Sequence, residues 1–204
     1  MYAMAITKTD QQALQTVKRL GVVRAGDFEA LGIPRSRLYR LARQGLVERQ
    51  GRGLYVASDH PYTESHALAQ VAKRVPNAVV CLLTALQFHG LTTQLPHEVW
   101  IALPEKARRP YPDYPKLRVM RFTGRAFTEG VEEHTIEGVK VRIYSAAKTV
   151  ADCFKFRNKI GIDVAVEALK DFTRKYRGGA TDLARFARIC RVPRVMQPYM
   201  DSVL

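Results

Sequence analysis

Four arginines fall within the eleven residues from Pro34 to Gln44 (PRSRLYRLARQ), at positions 35, 37, 40 and 43. A guanidinium offers a planar fork of donors that fits a phosphate, or the O6 and N7 edge of guanine, in a bidentate manner. Projected at 100° per residue, Ser36, Arg40 and Arg43 share one face, while Leu38, Leu41 and Ala42 share the opposite one. Tyr39 and Gln44 lie at the margins, and Arg35 and Arg37 on the flanks. An apolar back that seats a helix, with long donors in front, is what reading DNA in a groove requires. Shortly after, Arg49, Gln50 and Arg52 surround Gly51 and Gly53, glycines that permit positive φ and close approach to a phosphate. The expected DNA contacts are therefore Arg35, Ser36, Arg37, Tyr39, Arg40 and Arg43 in the helix, with Arg49 and Arg52 in the turn.

Other chemistries find little support. The histidines at 60, 66, 89, 97 and 134 show no ligand spacing of the HExxH kind, so no metal site is assigned. No P-loop, GxSxG elbow or glycine-rich dinucleotide fingerprint occurs, and no cofactor is expected. Cys81, Cys153 and Cys190 are far apart, odd in number and set among apolar neighbours, which predicts buried free thiols in a reducing cytosol. Pro112-Asp113 followed by Glu137-Gly-Val-Lys140 loosely matches a metal-dependent nuclease core. The acid-x-Lys triplet is missing, however, and Glu137 falls in a hairpin turn. His89 ends an apolar helix and reads as a satisfied buried histidine. No residue is assigned to catalysis, and the chain is not expected to be an enzyme.

The elements that position the arginines can be read around them. Lys8–Leu20 carries Ala13, Leu14, Val17 and Leu20 at helical spacing, with Thr9 or Asp10 expected as its cap and Gly21 as its stop. A short helix from about Arg24 to Leu31 follows, then the basic helix opened by Pro34. Two short helices joined by a glycine-containing turn form a helix-turn-helix. Leu46-Val47 and Leu54-Tyr55-Val56 flank the Gln50–Gly53 turn and predict a hairpin, the wing. The charge agrees: the chain carries a net +14, and residues 1–57 hold ten basic against four acidic residues, a net of +6. Such a surface suits a polyanion, although a solvated basic face or a protein-binding winged helix would share the pattern.

Residues 58–65 (SDHPYTES) read as a polar linker, and residues 66–204 as a second domain. Helical spacing covers Ser65–Val75, and Ala78–His89 reads as a strand leading into a buried helix. Strands are expected at Glu98–Leu103 and Lys116–Phe122, with EKARRPYPDYP between them as an exposed loop. Val131–Ile136 and Val139–Tyr144 flank Glu137-Gly138 as a hairpin. Three closing helices are expected at about 145–157, 162–176 and 181–191. The expected fold class is α+β: an N-terminal winged helix-turn-helix, then a mixed α+β domain of antiparallel strands flanked by helices. No apolar run approaches the ~20 residues that span a bilayer. The first residues lack the pattern of a secretory signal, which points to the cytoplasm.

Taken together, GVVRAGDFEALGIPRSRLYRLARQGLVERQGRGLYVAS, LLTALQFHGLTTQLPHEVWIALP and YSAAKTVADCFKFRNKIGIDVAVEALKD resemble the AbiEi antitoxins of bacterial type IV toxin–antitoxin (abortive-infection) systems. The resemblance implies a non-catalytic repressor whose winged helix binds inverted repeats in its own promoter. It further implies a C-terminal domain that counters a cognate AbiEii toxin similar to nucleotidyltransferases. Carried over by position, the DNA-contact candidates include Arg35, Ser36, Tyr39, Arg40, Arg43, Arg49 and Arg52, while no motif marks toxin-neutralising residues. A solitary regulator without a toxin, or a nuclease targeted by the winged helix, are the alternative readings. Pairs of monomers meeting on DNA and a stable dimer are equally compatible with the sequence.

Overall fold

A computed structural model describes residues 7–110 and 114–203. They form two compact units, the first comprising residues 7–76, 114–115 and 135–141, the second the remainder. The expected boundaries at 57 and 66 thus fall inside the first unit. No helix among the described residues is long and apolar enough to cross a membrane.

The first unit opens with α1 (Lys8–Leu20). Its cap is Thr7, not Thr9 or Asp10: the Thr7 hydroxyl accepts from the Asp10 N–H, and the Asp10 carboxylate reaches back to Thr7. That reciprocal capping box satisfies donors at both ends of the first turn, which explains why the helix starts at Lys8. Helix α2 (Ala25–Ala30) and α3 (Arg35–Arg43) follow, then strands β1 (Val47–Arg49) and β2 (Tyr55–Ala57) in antiparallel register. Val23 bridges to Tyr55 and adds a third, minimal strand. Helix, bridge, helix, helix and hairpin form the winged helix-turn-helix. Its core is Ala13, Val17, Val23, Phe28, Leu38, Leu41, Val47, Tyr55 and Ala57. Each large side chain here contributes about 1.5–3 kcal/mol on burial. Helix α4 (His66–Arg74) completes the continuous part of the unit.

The second unit is built on a five-stranded sheet of order β5-β4-β3-β7-β6. Its strands are β3 (Val79–Val80), β4 (Val99–Pro104), β5 (Leu117–Phe122), β6 (Val131–Ile136) and β7 (Val139–Tyr144). The α+β class holds, but the strand directions are mixed. β3 runs antiparallel to β4, whereas β3 with β7 and β4 with β5 are parallel. The cause lies between β4 and β5: twelve residues separate them, too many for a tight hairpin and enough for a parallel crossover.

Helix α5 (Leu82–His89) follows β3 directly and ends at Gly90 in the left-handed region. The helices α6 (Arg125–Thr128), α7 (Ala146–Lys155), α8 (Arg157–Ile160), α9 (Ile162–Lys175), α10 (Ala180–Cys190) and α11 (Pro193–Val203) complete the unit. The expected closing trio corresponds to α7, α9 and α10. Helices α6, α8 and α11 are additions, and α11 carries Pro198 inside it.

All three cysteines are buried and unpaired, as expected. Asp152 is fully buried and pairs with the equally buried Lys148 at 2.5 Å, while the Cys190 thiol approaches it at 3.1 Å. Burial pushes the Asp152 carboxyl upward against the pull of Lys148. The Lys148 ammonium also lies 4.1 Å from the centre of the Tyr144 ring, so this charge is compensated twice.

Candidate nucleic-acid interface

Helix α3 turns its apolar side inward. Leu38 and Leu41 are fully buried, and Ala42 packs against the same core. The opposite side faces solvent: Arg35, Ser36, Tyr39 and Arg43 are exposed and Arg40 is partly so. Pro34 is the N-cap residue and not the first helical one, and Gln44 is the C-cap.

The arginines are not equivalent. Asp10, only 1% exposed, receives Arg37 Nη1 at 3.0 Å and Arg40 Nη1 at 3.5 Å. The Thr7 hydroxyl above all, and then Arg37, hold its carboxyl below the ordinary value. Arg37 therefore ties α3 to the start of α1. Arg40 shares that carboxylate at the limit of contact and keeps 44% of its side chain exposed. Arg35 makes an exposed pair with Glu29 at 3.4 Å, an interaction worth little in water. Tyr39 is 42% exposed, its ring 6.3 Å from that of Tyr55.

In the wing, the Gln50 N–H donates to the Leu54 carbonyl and closes the turn, with Gly51 and Gly53 at positive φ. Arg49 Nε donates to the Gly51 carbonyl at 3.2 Å, which folds Arg49 over the turn, and Arg52 is exposed at its tip. The turn of the wing is braced from α4, where Arg74 donates to the Gln50 carbonyl at 2.9 Å. The expected contact residues on α3 and in the wing are thus all exposed or half-buried. Arg37 alone is drawn into a structural role. Asp10 organises that face, and its signal in the sequence was the Thr7-x-x-Asp10 capping box.

Two groupings had no signal in the linear sequence. His60, His66 and Glu137 come together within the first unit, although 77 and 71 residues separate the histidines from the acid. Glu137 does occupy the β6–β7 turn, at φ 48°, but its side chain is only 3% exposed. Burial alone would push its carboxyl up. Hydrogen bonds from His66, His60 and Thr63 outweigh that and bring it down to about 2. One donor atom from each of the three lies within 4.8 Å of the others, close enough to share a metal ion. The acid of the nuclease-like pattern is therefore in contact with four polar groups, the Thr63 N–H and hydroxyl and one nitrogen of each imidazole. Its expected partner motif, Pro112-Asp113, lies outside the described residues. In the second unit, Arg125, Lys155, Arg185, Arg188 and Arg191 line a cleft of about 770 Å³. Two of these, Arg125 and Arg185, are paired with Glu129. His89 is buried and satisfied through its contact with the Tyr144 carbonyl at 2.7 Å, as expected.

Comparison with known proteins agrees with this geometry at the N-terminus. Residues 11–58 match the family model described as transcriptional regulator, AbiEi antitoxin. No curated protein matches the chain. Among solved structures, the crystal structure of the RV2827C protein from Mycobacterium tuberculosis aligns with a TM-score of 0.52 at 14% identity. It covers 97% of this chain and 82% of that one, a likeness of fold.

Proposed function

From the match of residues 11–58 to the AbiEi antitoxin family of transcriptional regulators we propose that the protein is a DNA-binding autorepressor and antitoxin. It binds inverted repeats upstream of its own gene and counters a nucleotidyltransferase-like toxin. The observation that carries the DNA half is the face of α3: Arg40, Arg43, Ser36 and Tyr39 toward solvent, Leu38 and Leu41 seated in the core. In this reading Arg43 and Arg40 reach base edges in the major groove, while Ser36, Arg35 and Tyr39 hold phosphates. Arg52 and Arg49 extend the contact to the flanking backbone. Two copies on an inverted repeat would sit about one helical turn apart, roughly 34–36 Å.

The test is retardation of a duplex from the upstream region of the gene against a scrambled duplex at ~100 mM salt. Preference for the upstream duplex supports the reading, and equal binding of both overturns the operator assignment. The toxin half is tested separately, by co-expression with the product of the adjacent gene. Rescue of growth supports an antitoxin, whereas operator binding without rescue leaves a solitary regulator. The proposed role requires no catalysis by this chain.

A further inference from the structure

The hydrogen-bond accounting around Glu137 does not close. Oε1 accepts from the Thr63 N–H at 2.8 Å and from its hydroxyl at 2.7 Å. Oε2 faces both His60 Nε2 at 2.8 Å and His66 Nδ1 at 2.6 Å. On its far side, His66 Nε2 meets Gln70 Nε2 at 2.9 Å. An amide nitrogen can only donate, so His66 Nε2 must be the acceptor and Nδ1 must carry the proton. Gln70 is 1% exposed, and in this arrangement its Oε1 is buried without any partner. A buried orphan of this kind costs about 1–3 kcal/mol.

Turning the Gln70 amide over removes the orphan: Oε1 then accepts a proton from His66 Nε2. With one ring proton, that leaves the Nδ1 lone pair aimed at the Glu137 carboxylate, an arrangement that needs a positive charge between them. A second ring proton or a metal ion supplies it, and the convergence of a second imidazole, His60, on the same carboxylate oxygen favours the metal. A ring N–H donated to a neighbouring oxygen is also how metal-bound histidines are held, since it fixes the tautomer and raises the basicity of the ligating nitrogen.

We propose that His60 Nε2, His66 Nδ1 and Glu137 Oε2 form a site for a divalent transition metal of the zinc class, with Gln70 orienting His66. The three donor atoms lie within 4.8 Å of one another. Ligands about 2.0–2.2 Å from zinc stand roughly 3.3 Å apart in a tetrahedron, so the N···O separations of 2.8 and 2.6 Å need to widen by less than 1 Å to admit the ion. Two nitrogens and one carboxylate suit zinc, whereas calcium and magnesium prefer all-oxygen shells. Three protein ligands leave a fourth position for water. The set is shielded: the side chains are 6%, 15% and 3% exposed. The Tyr62 ring packs edge-on against both imidazoles. Binding would clip the His60–His66 segment to the β6–β7 turn and stabilise the first unit.

The experiment uses the untagged full-length protein, stripped with a chelator and titrated with Zn²⁺ by calorimetry, and with Co²⁺ by visible absorption. One metal per chain is expected, with the intense d–d bands of four-coordinate Co²⁺. The melting temperature should rise by roughly 5–10 °C when Zn²⁺ is about 100-fold above its Kd. His66→Gln and Glu137→Gln should each weaken binding at least tenfold, and Gln70→Ala by about 10- to 100-fold. The wild-type titration decides the matter even if a variant fails to fold. Absence of a Co²⁺ spectrum and of Zn²⁺ uptake by the wild-type protein overturns the site. So does uptake that folded His66→Gln and Glu137→Gln proteins retain in full.

Discussion

Replacing Arg40 and Arg43 together with alanine separates DNA reading from folding, because the structure assigns the arginines of α3 different duties. Arg43 is exposed at the end of the helix, and Arg40 touches Asp10 only at 3.5 Å. Their removal leaves Asp10 with its Arg37 bond at 3.0 Å and the Thr7 cap, so stability should stay within about 0.5 kcal/mol of wild type. Binding should change far more. A bidentate contact to a guanine discriminates by about 1–3 kcal/mol, roughly a 5- to 150-fold loss of affinity for each arginine so engaged. An arginine that holds a phosphate should instead lower the salt slope by about 0.9. Arg37→Ala is the converse control: it breaks the better of the two bonds to a buried carboxylate and should lower the melting temperature visibly. The assay is fluorescence anisotropy on the upstream duplex between 50 and 200 mM salt, with calorimetric melting of the same samples. The reasoning fails if the double variant keeps both its affinity and its salt slope. It fails equally if that variant melts as early as Arg37→Ala.

Leu41→Ala empties a fully buried position in the first core and should cost about 2–5 kcal/mol in chemical denaturation. Gly21→Ala should be poorly tolerated: φ is 66°, and a Cβ there would run into the Glu137 carbonyl. A normal melting curve for that variant would contradict the close approach. Burial holds His89 below its ordinary value of 6.5, so the unfolded chain takes up its proton first as pH falls. Stability should therefore decline below about pH 6.5, and His89→Gln should flatten that part of a melting-temperature profile. Lys148→Met strands Asp152 and should cost about 3–5 kcal/mol, much of which Lys148→Met with Asp152→Leu should restore in urea titrations.

Local patterns carried the first unit well. The apolar spacing of Ala13 and Val17, the stop at Gly21 and the glycine-bearing wing turn each involve residues a few positions apart. Register and partners within an element are then decided by backbone geometry alone. The same holds for the β6–β7 hairpin, whose expected bounds coincide with the observed strands. What escaped was set by long-range closure. Parallel pairing of β4 with β5 leaves no mark except loop length, and Asp10 joins Arg37 across 27 residues. The histidines illustrate the point most sharply: His60 and His66 fit no ligand motif because their acid lies 71 to 77 positions away. Lys148 and Asp152 do stand at i,i+4, but that spacing on a sequence reads as a surface pair, and only packing shows it buried.

The turn at Glu137 gives the molecule a temporal order during synthesis. Thr63, His60 and His66 leave the ribosome some seventy residues before the carboxylate they bind. At about 5–20 residues per second that interval lasts roughly 4–15 s. Throughout it, the nascent winged helix holds two imidazoles and a threonine with no acid to receive them. The helix-turn-helix, with its short-range contacts, can form early. The segment behind it settles only when the β6–β7 turn arrives, so the N-terminal unit matures late although it is made first.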